Sequence, residues 1–503
     1  MKFLGFVFIT MFLAACSPEF STLKDFNTTP TEDTVYLVMG GGFAPHGAQG
    51  VLELNMRLFD KTAETFGIDN VTRLFGGGND QKIMDVTIQD DNFSEDDKMF
   101  AFLWNNNCPQ CDLRHNELKN LDGDLRRETV VNWLDVAAEE LQEDDSLRIY
   151  YTGHGDYERN PDRFDENFLG LWHSHLSVQD FSRKLDLLPE ETQTQIIMVQ
   201  CFSGGFAQIN YVGGELDKKK ISPANRCGFF SQVADETASG CSADLNRREE
   251  YSPYFFAAFS GMNGEGQTVE ADYNGDGKVT SDEAHAYVII SENAKDVPIT
   301  TSSQLLREQE GLKISARMKQ ASWRELTSDL NANEQVIVNE LSKQLKTDFA
   351  SKQSPFLFIE RQVEYVDSQL KVANEVTNQI NEAVNKILTN IRKDIESYYP
   401  IFVNIYGKNQ SRNFVMDSET LAAAKNMMLE HVDYPVLTSV YKNGQDASEN
   451  ALEWERKRAK WRRLEYVLKT KLLEKIMAKE SSDEVKNKYK QLKACEASSF
   501  FKE

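Results

Sequence analysis

The chain has 503 residues, 40% hydrophobic and 27% charged, with 56 Lys+Arg against 79 Asp+Glu for a formal net charge of -23. That length excludes a single ordinary core and asks for two or three domains, and the apolar content is that of a globular protein. The charge is uneven, with 32 basic and 29 acidic groups in 301–503 but 24 and 50 in 1–300, so a boundary near residue 300 is expected and the acidic front half suits cations rather than nucleic acid.

In chain order, MKFLGFVFITMFLAACSPEF places Lys2 before an apolar run at 3–15 and then Cys16. The run is shorter than the ~20 residues that span a bilayer and has signal-peptide proportions. Leu13-Ala14-Ala15-Cys16 resembles the lipobox of bacterial lipoproteins. The resemblance implies removal of a signal peptide at 1–15, a diacylglyceryl group on the Cys16 sulfur and, with Ser17 following, sorting to the outer membrane of the cell envelope. Acyl chains contribute about 0.8 kcal/mol per buried CH₂, which holds a multiply acylated protein on a membrane without a spanning helix. Residues 16–33 then read as a flexible tether.

TVYLVMGGG (34–42) reads as a strand entering a glycine loop, 55–67 as a helix stopped by Gly67, and VTRLFGGG (71–78) as a second strand and turn. Residues 126–141 are amphipathic through Val130, Trp133, Leu134, Ala137 and Leu141. LRIYYTGHGD (147–156) alternates Leu147, Ile149 and Tyr151, and the strand is expected to break at Gly153, leaving His154 at the strand end where open α/β sheets carry their chemistry. A helix at 177–188 has Ser177 as its cap with Asp180 three residues on, and the apolar QIIMVQ (195–200) runs into CFSGG. Strands alternating with helices imply an α/β fold whose largely parallel sheet is covered on both faces.

Beyond residue 300 the pattern turns helical. Ile337, Leu341, Leu345 and Phe349 form a short seam. Val363, Val366, Leu370, Ala373, Val376, Ile380, Val384, Ile387, Ile391 and Ile395 form one long helix. The basic stretch 454–479 is amphipathic and is read as the solvated face of a helical bundle, with docking onto the acidic half or onto anionic lipid as the alternatives. Residues 34–300 and an all-α region at 301–503 are thus the expected domains.

In an envelope compartment disulfides form. Cys108 with Cys111, and Cys227 with Cys241, are the expected pairs, a zinc site on Cys108, Cys111 and His115 being the lesser alternative because it lacks a fourth ligand. That leaves Cys201 and Cys495. Cys201 lies just past an apolar strand, and an adjacent imidazole would raise its nucleophilicity and later protonate a leaving amine. The N–H groups of Gly155 and Cys201 are the candidate oxyanion donors.

YYTGHG followed by QCFSGG resembles the caspase-like cysteine peptidases, the group of caspases, metacaspases, legumains and gingipains. RRETVVNWLDVAAEEL, GFFSQVADETASG and SPYFFAAFSG resemble the neighbouring helix, strand and helix of that group, so the likeness covers roughly 34–293. It implies a caspase-haemoglobinase three-layer sandwich, His154 as general base and acid, Cys201 as nucleophile and a peptide or protein substrate. It also implies Asp235 or Glu236 as a pocket carboxylate selecting Arg or Lys, which a charge-assisted hydrogen bond would favour. The loop 214–227 lies between the Cys strand and the next, where caspases are cut during activation, which here would place autocleavage after Lys218, Lys219 or Lys220. The rival reading is a catalytically inert, calcium-binding envelope scaffold of the same fold acting through its helical region.

DYNGDGKVTSDE (272–283) fits the EF-hand loop pattern without a mismatch, with Asp272, Asn274, Asp276, the Lys278 carbonyl, Thr280 and Glu283 as Ca²⁺ ligands and Gly277 at the sharp turn. Residues 262–271 make a poor incoming helix, so a single unpaired calcium loop is expected. His46, His173, His175, His285 and His431 have no spacing that demands a role.

Overall fold

The computed structural model describes residues 34–80, 82–89, 94–104, 111–158, 166–309, 314–404 and 418–501. The expected signal peptide and tether, with Cys16, and Cys108 lie outside the described residues. The front half runs β1 (Thr34–Gly41), α1 (Gly50–Thr65), β2 (Val71–Phe75), β3 (Val86–Gln89), α2 (Glu95–Phe102), β4 (Cys111–Arg114), α3 (Arg127–Glu140) and β5 (Ser146–Tyr157). It continues through β6 (Asn167–Leu171), β7 (Ser174–Ser177), α4 (Val178–Leu185), β8 (Gln193–Met198), β9 (Arg226–Phe230), α5 (Tyr251–Ser260), α6 (Ser281–Ser291) and β10 (Ile299–Thr300).

The sheet order is β10-β9-β8-β5-β1-β2, with β1, β2, β5, β8 and β9 parallel and β10 antiparallel to β9. Strand alternation divides the side chains between two cores. Val35, Leu37, Met39, Leu147, Ile149, Tyr151, Ile196 and Met198 face α3 and α4, while Tyr36, Val38, Tyr150, Ile197 and Phe229 face α1, α5 and α6. The fold is therefore α/β with a mostly parallel sheet covered on both faces. Ser177 caps α4 as expected, its side chain accepting from Asp180 N at 3.1 Å.

One strand boundary departs from expectation. β5 does not stop at Gly153 but runs on to Tyr157, changing partners: β1 pairs with it as far as Gly153, after which His154–Tyr157 pair antiparallel with β6, and β6 with β7. A Cβ on Gly153 would sit 2.5 Å from the Tyr151 hydroxyl and 2.7 Å from Gly41 O, so glycine marks a crossover between ladders rather than an end.

The remaining helices are α7 (Thr301–Glu308), α8 (Ile314–Gln320), α9 (Trp323–Thr327), α10 (Ala332–Gln344), α11 (Pro355–Tyr398), α12 (Ser418–Leu429), α13 (Tyr434–Glu480) and α14 (Asp483–Glu496). At 44 and 47 residues and a rise of ~1.5 Å per residue, α11 and α13 pack together as an arm of roughly 70 Å. Gly444 of α13 allows the close approach, a Cβ there lying 3.2 Å from Ile380. Leu388, Ile391 and Ile395 of α11 share a cluster with Met99 and Phe100 of α2, so the front half also grips the far end of the arm.

The chain then returns to the sheet. Cys495 on α14 is disulfide-bonded to Cys227 on β9, which corrects the expected Cys227–Cys241 pair. Those two cysteines are close in sequence, but β9 delivers Cys227 into the apolar interface with α14, whereas Cys241 is carried away to the sheet edge. Phe500 and Phe501 then insert among Tyr36, Phe59, Phe66, Phe255 and Phe256. Cys111 is disulfide-bonded, which removes it from the zinc alternative. Among the described residues no helix is long and apolar enough to cross a membrane.

Candidate active site

β5 and β8 are adjacent, in register through Tyr151 opposite Met198, so the residues that leave their C-terminal ends meet on one edge. Gly155 abuts the Cys201 backbone, and a Cβ there would lie 2.1 Å from Cys201 O. Only glycine permits that approach. Phe202, directly after Cys201, is held at φ 59, a left-handed conformation that costs a bulky residue on the order of 1–3 kcal/mol. Its ring packs on Tyr157 at 4.8 Å.

His154 is clamped through one nitrogen. Nε2 lies 2.7 Å from Gly47 O and 2.9 Å from Gln49 Oε1, two oxygens that only accept, so Nε2 carries the hydrogen and Nδ1 is the free base. Phe43 meets the ring edge-on at 5.4 Å. Burial pushes the imidazole below its ordinary pKa, the Gly47 carbonyl opposing the shift. The resting imidazole is therefore neutral and able to take a proton.

The thiol facing Nδ1 was not foreseen. Cys241 Sγ lies 3.7 Å from His154 Nδ1, while the Cys201 thiol donates to Ala238 O at 3.8 Å. Both are free cysteines. Burial raises both thiols, Cys241 to about 12 with the neighbouring Cys201 adding to the effect. The loop that carries Ala238 and Cys241 is pinned by Asp296, whose carboxylate accepts from Ser239 N at 2.9 and 3.1 Å and from its hydroxyl at 3.2 Å. Burial lifts that carboxyl to about 6. Its own carbonyl accepts from Arg463 of α13 at 2.7 Å, and Arg463 also pairs with buried Glu292 at 2.8 Å. No motif announces Asp296, because its role rests on contacts distant in sequence.

Beside Cys201, Tyr157, Phe202, Asp235, Glu236, Thr237 and Lys295 line an open cleft whose other wall is α13. Asp235 is exposed. Glu236 is the engaged carboxylate, receiving Arg462 Nη1 at 2.5 Å on both oxygens and Arg458 Nη2 at 3.0 Å. Arg456 Nη2 adds a contact to both Glu249 oxygens at 2.8 Å. The basic helix is thus docked on the acidic half, which corrects the solvated-face reading: the front half's surplus carboxylates are what its arginines pair with. Lys218, Lys219 and Lys220 are exposed on the loop before β9.

The 272–283 loop is folded around its own acidic side chains. Asp272 Oδ1 accepts from Gly275 N and Asp276 N, its Oδ2 from Gly277 N, and Glu283 from Tyr273, Asn274 and Thr280 N–H groups at 2.9–3.2 Å. Gly277 takes φ 87, as the sharp turn requires. No cluster of three or more His, Cys, Asp or Glu is gathered as a metal site among the described residues. The donor set is nonetheless all oxygen, the chemistry a hard cation takes. His173 and His175 line a separate cleft with Arg127 and Asp180, and His285 is buried against the Tyr251 hydroxyl at 2.8 Å.

No family model matches the chain, and no curated protein matches it. Among solved structures it is similar to a protein from Geobacter sulfurreducens, at 12% identity and a TM-score of 0.32, over 53% of this chain and 92% of that one.

Proposed function

We propose that the protein is a caspase-like cysteine endopeptidase, anchored to the bacterial envelope through lipidated Cys16, that hydrolyses peptide bonds with His154 and Cys201. The observation that carries the reading is the His154 clamp. With Nε2 committed to two carbonyl-type oxygens, the basic nitrogen is aimed at the edge where the thiols stand. The parallel order β2-β1-β5-β8-β9, with His154 on β5 and Cys201 just past the adjacent β8, supports the same assignment.

In this reading the Cys201 thiol turns from Ala238 O, gives its proton to His154 Nδ1 and adds to the scissile carbonyl carbon. The N–H groups of Gly155 and Cys201 receive the oxyanion, and collapse expels the amine, which takes the proton back from His154. Water, deprotonated by the same nitrogen, then hydrolyses the thioester and restores the thiol. Glu236 is the carboxylate that would select an Arg or Lys side chain, Asp235 being turned to solvent. Exposed Lys218–Lys220 suit autocleavage by such a specificity. Asp272, Asn274, Asp276, Lys278 through its carbonyl, Thr280 and Glu283 would hold Ca²⁺, which would neutralise the loop's carboxylates and stiffen the start of α6.

The test is hydrolysis of fluorogenic peptides ending in Arg, Lys, Asn or Asp, with and without calcium, by wild type and by Cys201→Ala. Turnover by wild type alone is the expected result. Equal turnover by both proteins, or none by a folded, calcium-loaded wild type, would move the function to a binding scaffold.

A further inference from the structure

The wall of the cleft opposite Phe202 belongs to this chain's own α13, and it presents two guanidinium groups to the pocket carboxylate. Arg462 reaches both Glu236 oxygens through Nη1 and Arg458 reaches one through Nη2, so charge-assisted hydrogen bonds from two guanidinium groups converge on the carboxylate. Glu236 is coupled to the reacting edge through its backbone, since its carbonyl accepts from Phe202 N at 2.9 Å. The cleft as a whole carries Asp235, Glu236 and Glu455 against Lys295, Arg458 and Arg462, so its charge is balanced from within. An incoming basic side chain would find its acid already paired.

The placement is firm on both sides. Arg456 is tied to Glu249 and to Asn293 O, and Arg463, one residue past Arg462, makes five hydrogen bonds to Asp296 O, Ile289 O, Ala294 O and Glu292. Trp461 and Leu464 bury beside Ala286 and Ile289 of α6. These anchors hold Arg458 and Arg462 at Glu236 without help from the Glu236 contact itself.

Resting on the peptidase reading, we propose that α13 is a built-in pseudosubstrate: Arg458 and Arg462 occupy Glu236 in place of a substrate's Arg or Lys, so the docked enzyme is latent toward basic peptides. The substrate class is a polypeptide presenting a basic side chain, and access requires displacement or cleavage of this stretch of helix.

The experiment measures binding of agmatine, a guanidinium with no peptide bond, to the full-length protein carrying Cys201→Ala, so that no thiol chemistry enters. The arms are the native arginines, Arg458→Ala/Arg462→Ala, and Arg458→Gln/Arg462→Gln, which keeps side-chain length if the alanine pair fails to fold. Each is repeated with Glu236→Gln. The expected result is at least tenfold tighter binding in either double variant, abolished by Glu236→Gln. Binding as tight with the native arginines, or a gain that survives Glu236→Gln, overturns the proposal. Turnover of Arg and Lys peptides, measured with Cys201 restored, separates the two readings. A binding gain without turnover sinks the peptidase assignment and leaves the pseudosubstrate contact standing. Full wild-type turnover that the double variants do not raise sinks the pseudosubstrate and leaves the peptidase.

Discussion

Phe500 and Phe501 are fully buried although they lie at the end of the described chain. Phe501 stacks on Phe66 at 5.3 Å and meets Phe259 edge-on at 5.2 Å, while Phe500 meets Tyr36 at 5.8 Å and its carbonyl accepts the Tyr36 hydroxyl at 3.0 Å. Each ring removes at least ~150 Å² from water, about 4 kcal/mol at ~25 cal/mol per Å², in line with the ~3–5 kcal/mol that Phe→Ala costs in cores. The rings touch each other at 5.4 Å, so the double variant should fall short of the sum. Against a total stability on the order of 5–15 kcal/mol, Phe501→Ala should sharply lower the urea midpoint and Phe500→Ala/Phe501→Ala should leave little native protein. Residues 34–300 expressed alone should behave like the double variant. Urea titration followed by aromatic circular dichroism reads this directly. A shift under about 1 kcal/mol for Phe501→Ala, or a cooperatively folded 34–300 fragment, would refute the view that the tail completes the front core.

Reduction of Cys227–Cys495 opens a loop spanning a separation of 268 residues, for which the chain-entropy relation gives a loss of about 5.6 kcal/mol, just above the usual range. Unfolding midpoints with and without dithiothreitol test it, and equal midpoints would contradict it. Because burial raises Asp296 to about 6 from an ordinary 3.8, its contribution to stability is full below pH ~3.8 and is lost as pH rises through about 6. Asp296→Asn should flatten stability over that window, measured by thermal unfolding at fixed pH steps. An unchanged profile would assign the pH dependence elsewhere. Cys201→Ala should abolish peptide turnover and Cys241→Ala should retain it; the opposite result would make Cys241, whose sulfur lies 3.7 Å from His154 Nδ1, the nucleophile. The upward shift of both thiols predicts iodoacetamide labelling slower than that of free cysteine at pH 7 and rising with pH, read by mass spectrometry of each cysteine peptide.

Much of the site was legible because its parts are local. The alternation Leu147, Ile149, Tyr151 fixes which face of β5 is buried, the glycines around His154 mark a close approach, and the apolar run before Cys201 makes a second buried strand; spacing in the chain suffices for each. The same holds for the Ser177 cap and for the long helix through Val363 and Ile395, although Val376 of its apolar seam is exposed. What local pattern cannot hold is which distant residue fills a given position. Cys227 pairs with Cys495 and not Cys241 because α14 packs on β9, Glu236 rather than Asp235 is engaged because α13 lies over the cleft, and Asp296 matters because the chain folds its carboxylate under Ser239. These depend on how long helices return to a sheet, a packing outcome set by summed burial over hundreds of residues. The buried faces of the main strands and the placing of Cys201 just past β8 were therefore decided by sequence alone, while the run of β5 past His154 onto β6 and the occupants of the site's walls were decided by tertiary packing.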